Sequence, residues 1–223
     1  MDQPASKITA IHLAMARVGS PVGDRALREW SAEDERNSIK RADSLLCRAL
    51  LRGVLAGSTR LAASRWHIGK AEGGRPVATE SGGGVAPAVS ISHSGGWSAC
   101  AVSFAGNVGI DIERMRCDRD ISGIAARAFG PREYAEVAAE GCLRFYAIWT
   151  LREAIAKALG TGLATVADGR DRVAGGTCAE FRQISVDQEP WQVLHRTLHS
   201  DISLAVALRG SVQRPALQWW FDE

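Results

Sequence analysis

Two stretches decide how this chain is read: Val108-Gly-Ile-Asp-Ile-Glu113 and, about forty residues later, Trp149-Thr-Leu-Arg-Glu-Ala-Ile-Ala-Lys157. In the first, Val108, Ile110 and Ile112 alternate with Gly109, Asp111 and Glu113, which predicts a strand. Side chains of a strand change face at every residue, so both carboxylates point one way and the aliphatic set the other. The second stretch predicts a helix over 143–159, with Phe145, Ile148, Leu151, Ile155 and Leu159 as one apolar stripe. Trp149, Glu153 and Lys157 follow at steps of four on a different face. Packed together, the two elements would bring Asp111, Glu113, Glu153 and the Lys157 ammonium to one point. Three hard oxygen donors suit Mg²⁺, which takes its remaining ligands from water and phosphate. Metal-assisted chemistry on a phosphate compound is therefore expected.

Each half also has a plain reading. An Asp-x-Glu at a strand end is commonly a solvated edge, and Glu-x-x-x-Lys on a helix is commonly an exposed pair contributing about 0.3–0.5 kcal/mol. Neither alone makes an enzyme.

Composition sets the frame. With 223 residues, the chain can bury a full core, as one large domain or as two halves. A net charge of +2 argues against bulk electrostatic binding to nucleic acid or membrane. No apolar run approaches the ~20 residues needed to span a bilayer. Met1-Asp-Gln-Pro-Ala-Ser-Lys7 has no basic region followed by an apolar core, so a cytoplasmic protein without a signal peptide is expected. Cys47, Cys100, Cys117, Cys142 and Cys178 are widely spaced without any Cys-x-x-Cys, and are read as reduced, mostly buried thiols.

Along the chain, a helical region is expected from Ser31 to Ala56, with Ser31 as N-cap and Gly57 just past its end. Arg48 and Arg52 fall on its polar side. Gly69 to Gly84 reads as a loop, followed by a three-strand meander at about 87–92, 97–104 and 108–113. Pro131 opens a short helix that Gly141 breaks, the long helix stops at Gly160, and 191–198 with 202–208 form a hairpin. This order predicts an α+β fold of two similar halves, 1–116 and 117–223, cut near Arg116-Cys117-Asp118-Arg119.

Further motifs accompany the acidic pair: Gly74-Arg-Pro76, Pro87-Ala-Val-Ser-Ile-Ser-His-Ser-Gly-Gly-Trp97 and Arg127-Ala-Phe-Gly-Pro-Arg-Glu-Tyr134. In this order and spacing, from about Arg36 to Leu163, the chain resembles the 4′-phosphopantetheinyl transferases of the long, pseudo-dimeric kind. That resemblance implies two halves related by a pseudo-two-fold axis, a monomer, and coenzyme A in the cleft between the halves. It implies transfer of the phosphopantetheine arm from coenzyme A to a serine of an acyl or peptidyl carrier protein, releasing 3′,5′-ADP. Asp111, Glu113 and Glu153 would hold Mg²⁺, Glu153 would act as base, and Lys157 would face the leaving phosphate. Ser92, His93, Arg75, Lys40, Arg41 and Ser44 would bind coenzyme A, with Arg36 a further candidate. Ile121, Ile124, Ala125, Ala128 and Phe129 offer either a surface for the carrier protein or an ordinary helix face turned to the core. The chain departs from the family pattern at Arg152 and Arg75, where Lys is usual; at Arg152 no catalytic role is expected. A metal-dependent phosphodiesterase and a non-catalytic binding module of the same fold are the competing readings.

Overall fold

A computed structural model describes residues 10–84, 86–162, 166–173, 180–210 and 215–220. Met1–Lys7, Leu163 and Cys178 lie outside the described residues. The elements in chain order are β1 (Ala10–Arg17), α1 (Pro21–Trp30), α2 (Glu33–Ser38), α3 (Ala42–Thr59), β2 (Trp66–Lys70), β3 (Pro76–Glu80), β4 (Ala88–Ser94), β5 (Trp97–Ser103) and β6 (Val108–Arg114). After these come α4 (Ile121–Ala128), α5 (Pro131–Glu140), α6 (Cys142–Leu159), β7 (Arg182–Val186), β8 (Glu189–Leu198), β9 (Ile202–Arg209) and β10 (Ala216–Trp219).

Two four-stranded sheets, ordered β10-β1-β5-β4 and β6-β9-β8-β7, stand face to face. Strand alternation sorts the core into three layers. Ile11, Leu13 and Met15 of β1 meet Ile110, Ile112, Leu204 and Val206 between the sheets. Ala14 and Ala16, on the opposite face of β1, pack beneath Leu46, Leu50 and Val54 of α3. Ala205 and Ala207 of β9 pack beneath Ile148, Leu151 and Ile155 of α6. The result is helix, sheet, sheet, helix.

The α6 layer sits closer to its sheet than ordinary side chains allow. A Cβ built on Gly109 would lie 1.8 Å from the Ala154 carbonyl oxygen and 2.9 Å from the Ala158 nitrogen. The absent side chain therefore lets backbone approach backbone, and the helix crosses β6 directly beside Asp111.

Several sequence expectations change. The helical region 31–56 is two helices, because the chain opens at 39–41 between α2 and α3. Ser31 is the C-terminal cap of α1, where its hydroxyl donates to the Leu27 carbonyl at 2.5 Å, and Ala32 precedes α2 without a side-chain cap. The helix also runs past Gly57 to Thr59: Gly57 is interior, its bare Cα meeting the Trp220 ring, and Arg60 takes the left-handed cap. Arg48 and Arg52 are buried rather than solvated, because Glu35 of α2 accepts from Arg48 at 3.2 Å and from Arg52 at 2.5 and 2.8 Å. The glycine-rich segment read as a loop is largely the β2–β3 hairpin. The meander is broken as well, since β4 and β5 pair but β6 joins the other sheet beside β9. β1 and α1 had no sequence expectation. The cut at Arg116–Cys117 falls between β6 and α4, and hydrogen-bonded strands cross it in both directions, β6 to β9 and β10 to β1.

The reading of the cysteines as reduced thiols is corrected too. Cys117 and Cys142 form a disulfide that ties the segment after β6 to the start of α6, whereas Cys47 and Cys100 are buried free thiols. Nothing local in the sequence signals the pairing across 25 residues; it depends on α6 starting beside the end of β6. Ile121, Ala125 and Ala128 of α4 and Phe129 just after it are buried in the protein's own core, and Ile124 packs partly buried against the same cluster, as the ordinary helix-face reading has it. No helix of the described residues is long and apolar enough to cross a membrane.

Gly109→Ala is expected to destabilise the protein by about 1–3 kcal/mol, since neither backbone partner can rotate away. For this size that lowers the melting temperature by roughly 3–10 °C; an unchanged melting curve would contradict the close packing. Reducing the disulfide is expected to cost about 2–4 kcal/mol in urea unfolding. Superimposable titrations with and without dithiothreitol would count against the crosslink.

Candidate active site

The close approach of α6 to β6 sets the geometry. Asp111 points away from the inter-sheet core and is almost fully buried. Its Oδ1 accepts from Lys157 Nζ at 2.7 Å and from Ser92 Oγ at 2.8 Å. Lys157 also donates to Ser92 Oγ at 2.9 Å, and the Ile112 N–H donates to the same oxygen at 3.2 Å. The Ser92 hydroxyl thus has its donor and both acceptor positions in use. Two residues along β6, Glu113 accepts from Ser94 Oγ at 2.8 Å.

One group in this cluster is unsatisfied. Asp111 Oδ2 is buried without a hydrogen-bond partner. An uncompensated buried carboxylate oxygen is costly, and its usual remedies are a cation or an ordered water. Around it the carboxylates repel one another. Burial, then the nearby Asp111, pushes the Glu153 carboxyl up to about 7, against the pull of Lys157, and Glu113 adds to the rise. Glu113 is raised as well, first by burial and then by Asp111, with Ser94, Lys157 and Arg119 easing it.

A cavity of about 870 Å³ opens over this cluster, and Asp111, Glu113, Glu153 and Lys157 are among the residues that line it. Lys40, Arg41, Ser44, Ser92 and His93 line the same cavity, as do His67 and Lys70 of β2. His93 lies between Ser44, 3.4 Å from Nε2, and Asp43, 3.5 Å from Nδ1. Arg41 is engaged with Asp43 at 2.9 Å, and that contact holds the Asp43 carboxyl below its ordinary range. Arg75 lines an adjoining cavity of about 460 Å³ that shares Gly74, Ile91, Glu153 and Lys157 with the first. Arg36 turns back onto Ser31, donating to its carbonyl at 2.7 Å, and does not reach the cavity.

A model of the 4′-phosphopantetheinyl transferase superfamily matches residues 107–213, the span that runs from this acidic strand to β9. A 4′-phosphopantetheinyl transferase of Bacillus subtilis is 30% identical over 177 residues, covering 75% of this chain and 71% of its own length. The chain belongs to the 4′-phosphopantetheinyl transferase superfamily. It is also similar to the 4′-phosphopantetheinyl transferase HetI of Nostoc sp., 27% identical over 219 residues, covering 96% of this chain and 87% of that one. A second Bacillus subtilis relative, the 4′-phosphopantetheinyl transferase ffp, is 29% identical over 173 residues, with 75% and 71% covered.

Within this superfamily member the departure at Arg152 has a structural account. The guanidinium is buried, paired with Glu133 at 2.5 Å and Asp168 at 2.8 Å, and lies 5.3 Å from the Phe129 ring centroid. A planar fork can serve these groups together where a lysine ammonium could not. His67 stood just before the segment read as a loop and carried no interpretable spacing, and Lys70 was taken into that loop; the alternation Trp66-His-Ile-Gly-Lys70 was the available signal.

The donor set meets the demands of a hard divalent ion in one respect and not in another. An orphaned Asp111 oxygen with two mutually repelled glutamates nearby is a site short of positive charge. No three such side chains among the described residues are already gathered as a metal cage, and Lys157 lies against Asp111.

Because the Glu153 carboxyl is raised from 4.5 to about 7, ionising it costs stability, absent below pH 4.5 and complete above pH 7. Metal-free Glu153→Gln is therefore expected to be more stable than the parent at pH 8 by about 1–2 kcal/mol, allowing for solvent screening. The difference should vanish as the pH falls to about 4.5. A Gln variant melting at or below the parent temperature at pH 8 would contradict the charge repulsion.

Proposed function

We propose that this chain transfers the 4′-phosphopantetheine group of coenzyme A to a serine of an acyl or peptidyl carrier protein, releasing 3′,5′-ADP. The observation that carries the reading is the convergence of Asp111, Glu113, Glu153 and Lys157 on one cavity, with a buried Asp111 oxygen left unpaired. Membership of the superfamily supplies the reaction class. We read the two halves, 1–116 and 117–223, as related by a pseudo-two-fold axis with the cavity as their cleft. We take the enzyme to act as a cytoplasmic monomer, where coenzyme A and carrier proteins meet.

In this reading Asp111, Glu113 and Glu153 hold Mg²⁺. When bound, the ion supplies charge neutralisation at the pyrophosphate. The protein's own groups do the rest. A serine hydroxyl is a weak nucleophile at neutral pH, so a base must take its proton as the oxygen attacks the β-phosphorus. Glu153 is suited to that task, because its surroundings raise its pKa to about 7, near the operating pH. Lys157, one turn further along α6, donates to the leaving phosphate as charge grows there, and releases Asp111 in doing so. Lys40, Arg41, Ser44 and His93 bind the nucleotide end of coenzyme A in the same cavity, with Ser92 between them and the acidic cluster. Arg75 grips it from the adjoining cavity, where a guanidinium can hold a phosphate through two hydrogen bonds.

The test is the intact mass of an apo carrier protein after incubation with the enzyme, coenzyme A and Mg²⁺. A gain of one phosphopantetheine with matching release of 3′,5′-ADP is expected. Nucleotide release without a gain would point to hydrolysis, and no change to a binding module; either overturns the reading. Asp111→Ala is expected to lower the transfer rate by more than the roughly 10–100-fold that outer-shell losses cost. Near-normal turnover with unaltered Mg²⁺ dependence would remove Asp111 from the metal site.

A further inference from the structure

β4 and β6 are edge strands of different sheets, yet the two edges are joined. The outward N–H groups of β6 are answered by side chains instead of a backbone ladder: Ile110 N–H donates to Ser90 Oγ at 3.1 Å, Ile112 N–H to Ser92 Oγ at 3.2 Å, and Arg114 N–H to Ser94 Oγ at 3.0 Å. Each serine accepts from the residue that follows Gly109, Asp111 or Glu113 in turn. A hydroxyl holding a backbone N–H on its lone pair has one proton left to give. Ser92 gives it to Asp111 and Ser94 to Glu113, while Ser90 faces Gly109, which has no side chain.

The two carboxylates are not held equally. Asp111 is buried and gripped by Ser92 and Lys157 together. Glu113 is longer and half-buried, and among the described residues its one hydrogen-bond donor is Ser94. A carboxylate on two rotatable bonds needs such a donor to stay aimed at the cavity.

We propose that Ser94 is a positioning residue for the transfer reaction: its hydroxyl, fixed by the Arg114 N–H, aims the Glu113 carboxylate at the divalent-ion site. This rests on the functional reading above and adds to it how the third carboxylate is kept in place. The rung at Ser90 provides the internal control, because it makes the same backbone contact without any carboxylate to direct.

The experiment measures Mg²⁺ affinity by calorimetry in the presence of coenzyme A, alongside the Mg²⁺ and coenzyme A dependence of transfer. Ser94→Ala is expected to weaken Mg²⁺ binding by roughly 10-fold or more, with the KM for coenzyme A changed less than about twofold. Ser94→Thr keeps the hydroxyl and should stay within about twofold of the parent in both. Ser90→Ala loses an equivalent backbone rung and should lower the melting temperature without altering Mg²⁺ affinity. Equal effects at Ser90 and Ser94, or unchanged Mg²⁺ affinity in Ser94→Ala, would overturn the proposal and leave a purely structural ladder. Should Ser94→Ala fail to fold, Ser94→Cys keeps the size with a weaker donor, and parental Mg²⁺ affinity there would overturn it too. A parent enzyme that binds no Mg²⁺ or transfers nothing would instead sink the functional reading on which this one stands.

Discussion

The contact on which everything else depends is the one between α6 and Gly109. Because position 109 has no side chain, the Ala154 carbonyl can reach the strand backbone, and the helix crosses β6 at a distance no other residue would permit. Ala205 and Ala207 of the neighbouring strand extend the shallow bed on which the helix lies. Glu153 flanks the contact residue Ala154, and Lys157 flanks Ala158 in the same way. A large residue at 109 would lift Lys157 off Asp111 and carry Glu153 with it. The packing rule and the chemistry therefore share a single residue.

Polar satisfaction then explains how such a charged cleft persists. Glu35 is buried between Arg48 and Arg52, with Glu35 and Arg48 themselves at the cavity wall, and Glu133 is buried against Arg152. Buried pairs of this kind are costly to break from one side, because the remaining charge is stranded. The cluster at Asp111 is different in kind. Among the described residues its ion pair is Lys157 with Asp111, a buried Asp111 oxygen has no partner, and the Glu153 carboxyl is raised to about 7. On the proposed reading, stability is given up where the substrate-bearing site needs it.

Local periodicity carried a good deal of this from the sequence. The period of two placed Asp111 and Glu113 on one face, and the step of four placed Glu153 and Lys157 on one side of a long helix, as the structure has them. Breakers were equally legible at Pro131, Gly141 and Gly160. What failed was whatever depended on distant partners. β6 sits opposite β9 because of sheet pairing, which a run of alternating residues does not encode. The β2–β3 hairpin was hidden by its glycines, and Arg48 and Arg52 looked solvated because Glu35 lies on another helix. The serines at 90, 92 and 94 stand plainly in alternation, yet their purpose emerges only when a second sheet edge is laid beside them.

The central claim is that Glu153 and Lys157 act on different partners within one site, and turnover with Mg²⁺ affinity for Glu153→Gln and Lys157→Ala, measured side by side, tests it most directly. Glu153→Gln should abolish transfer and weaken Mg²⁺ binding together. Lys157→Ala should slow the chemical step by roughly 100-fold, the loss typical of a donor to developing charge, while Mg²⁺ affinity holds or rises as Asp111 is freed. Were the two residues an ordinary exposed helix pair, each change would cost only about 0.5 kcal/mol of stability. Near-normal transfer by both variants would contradict the account.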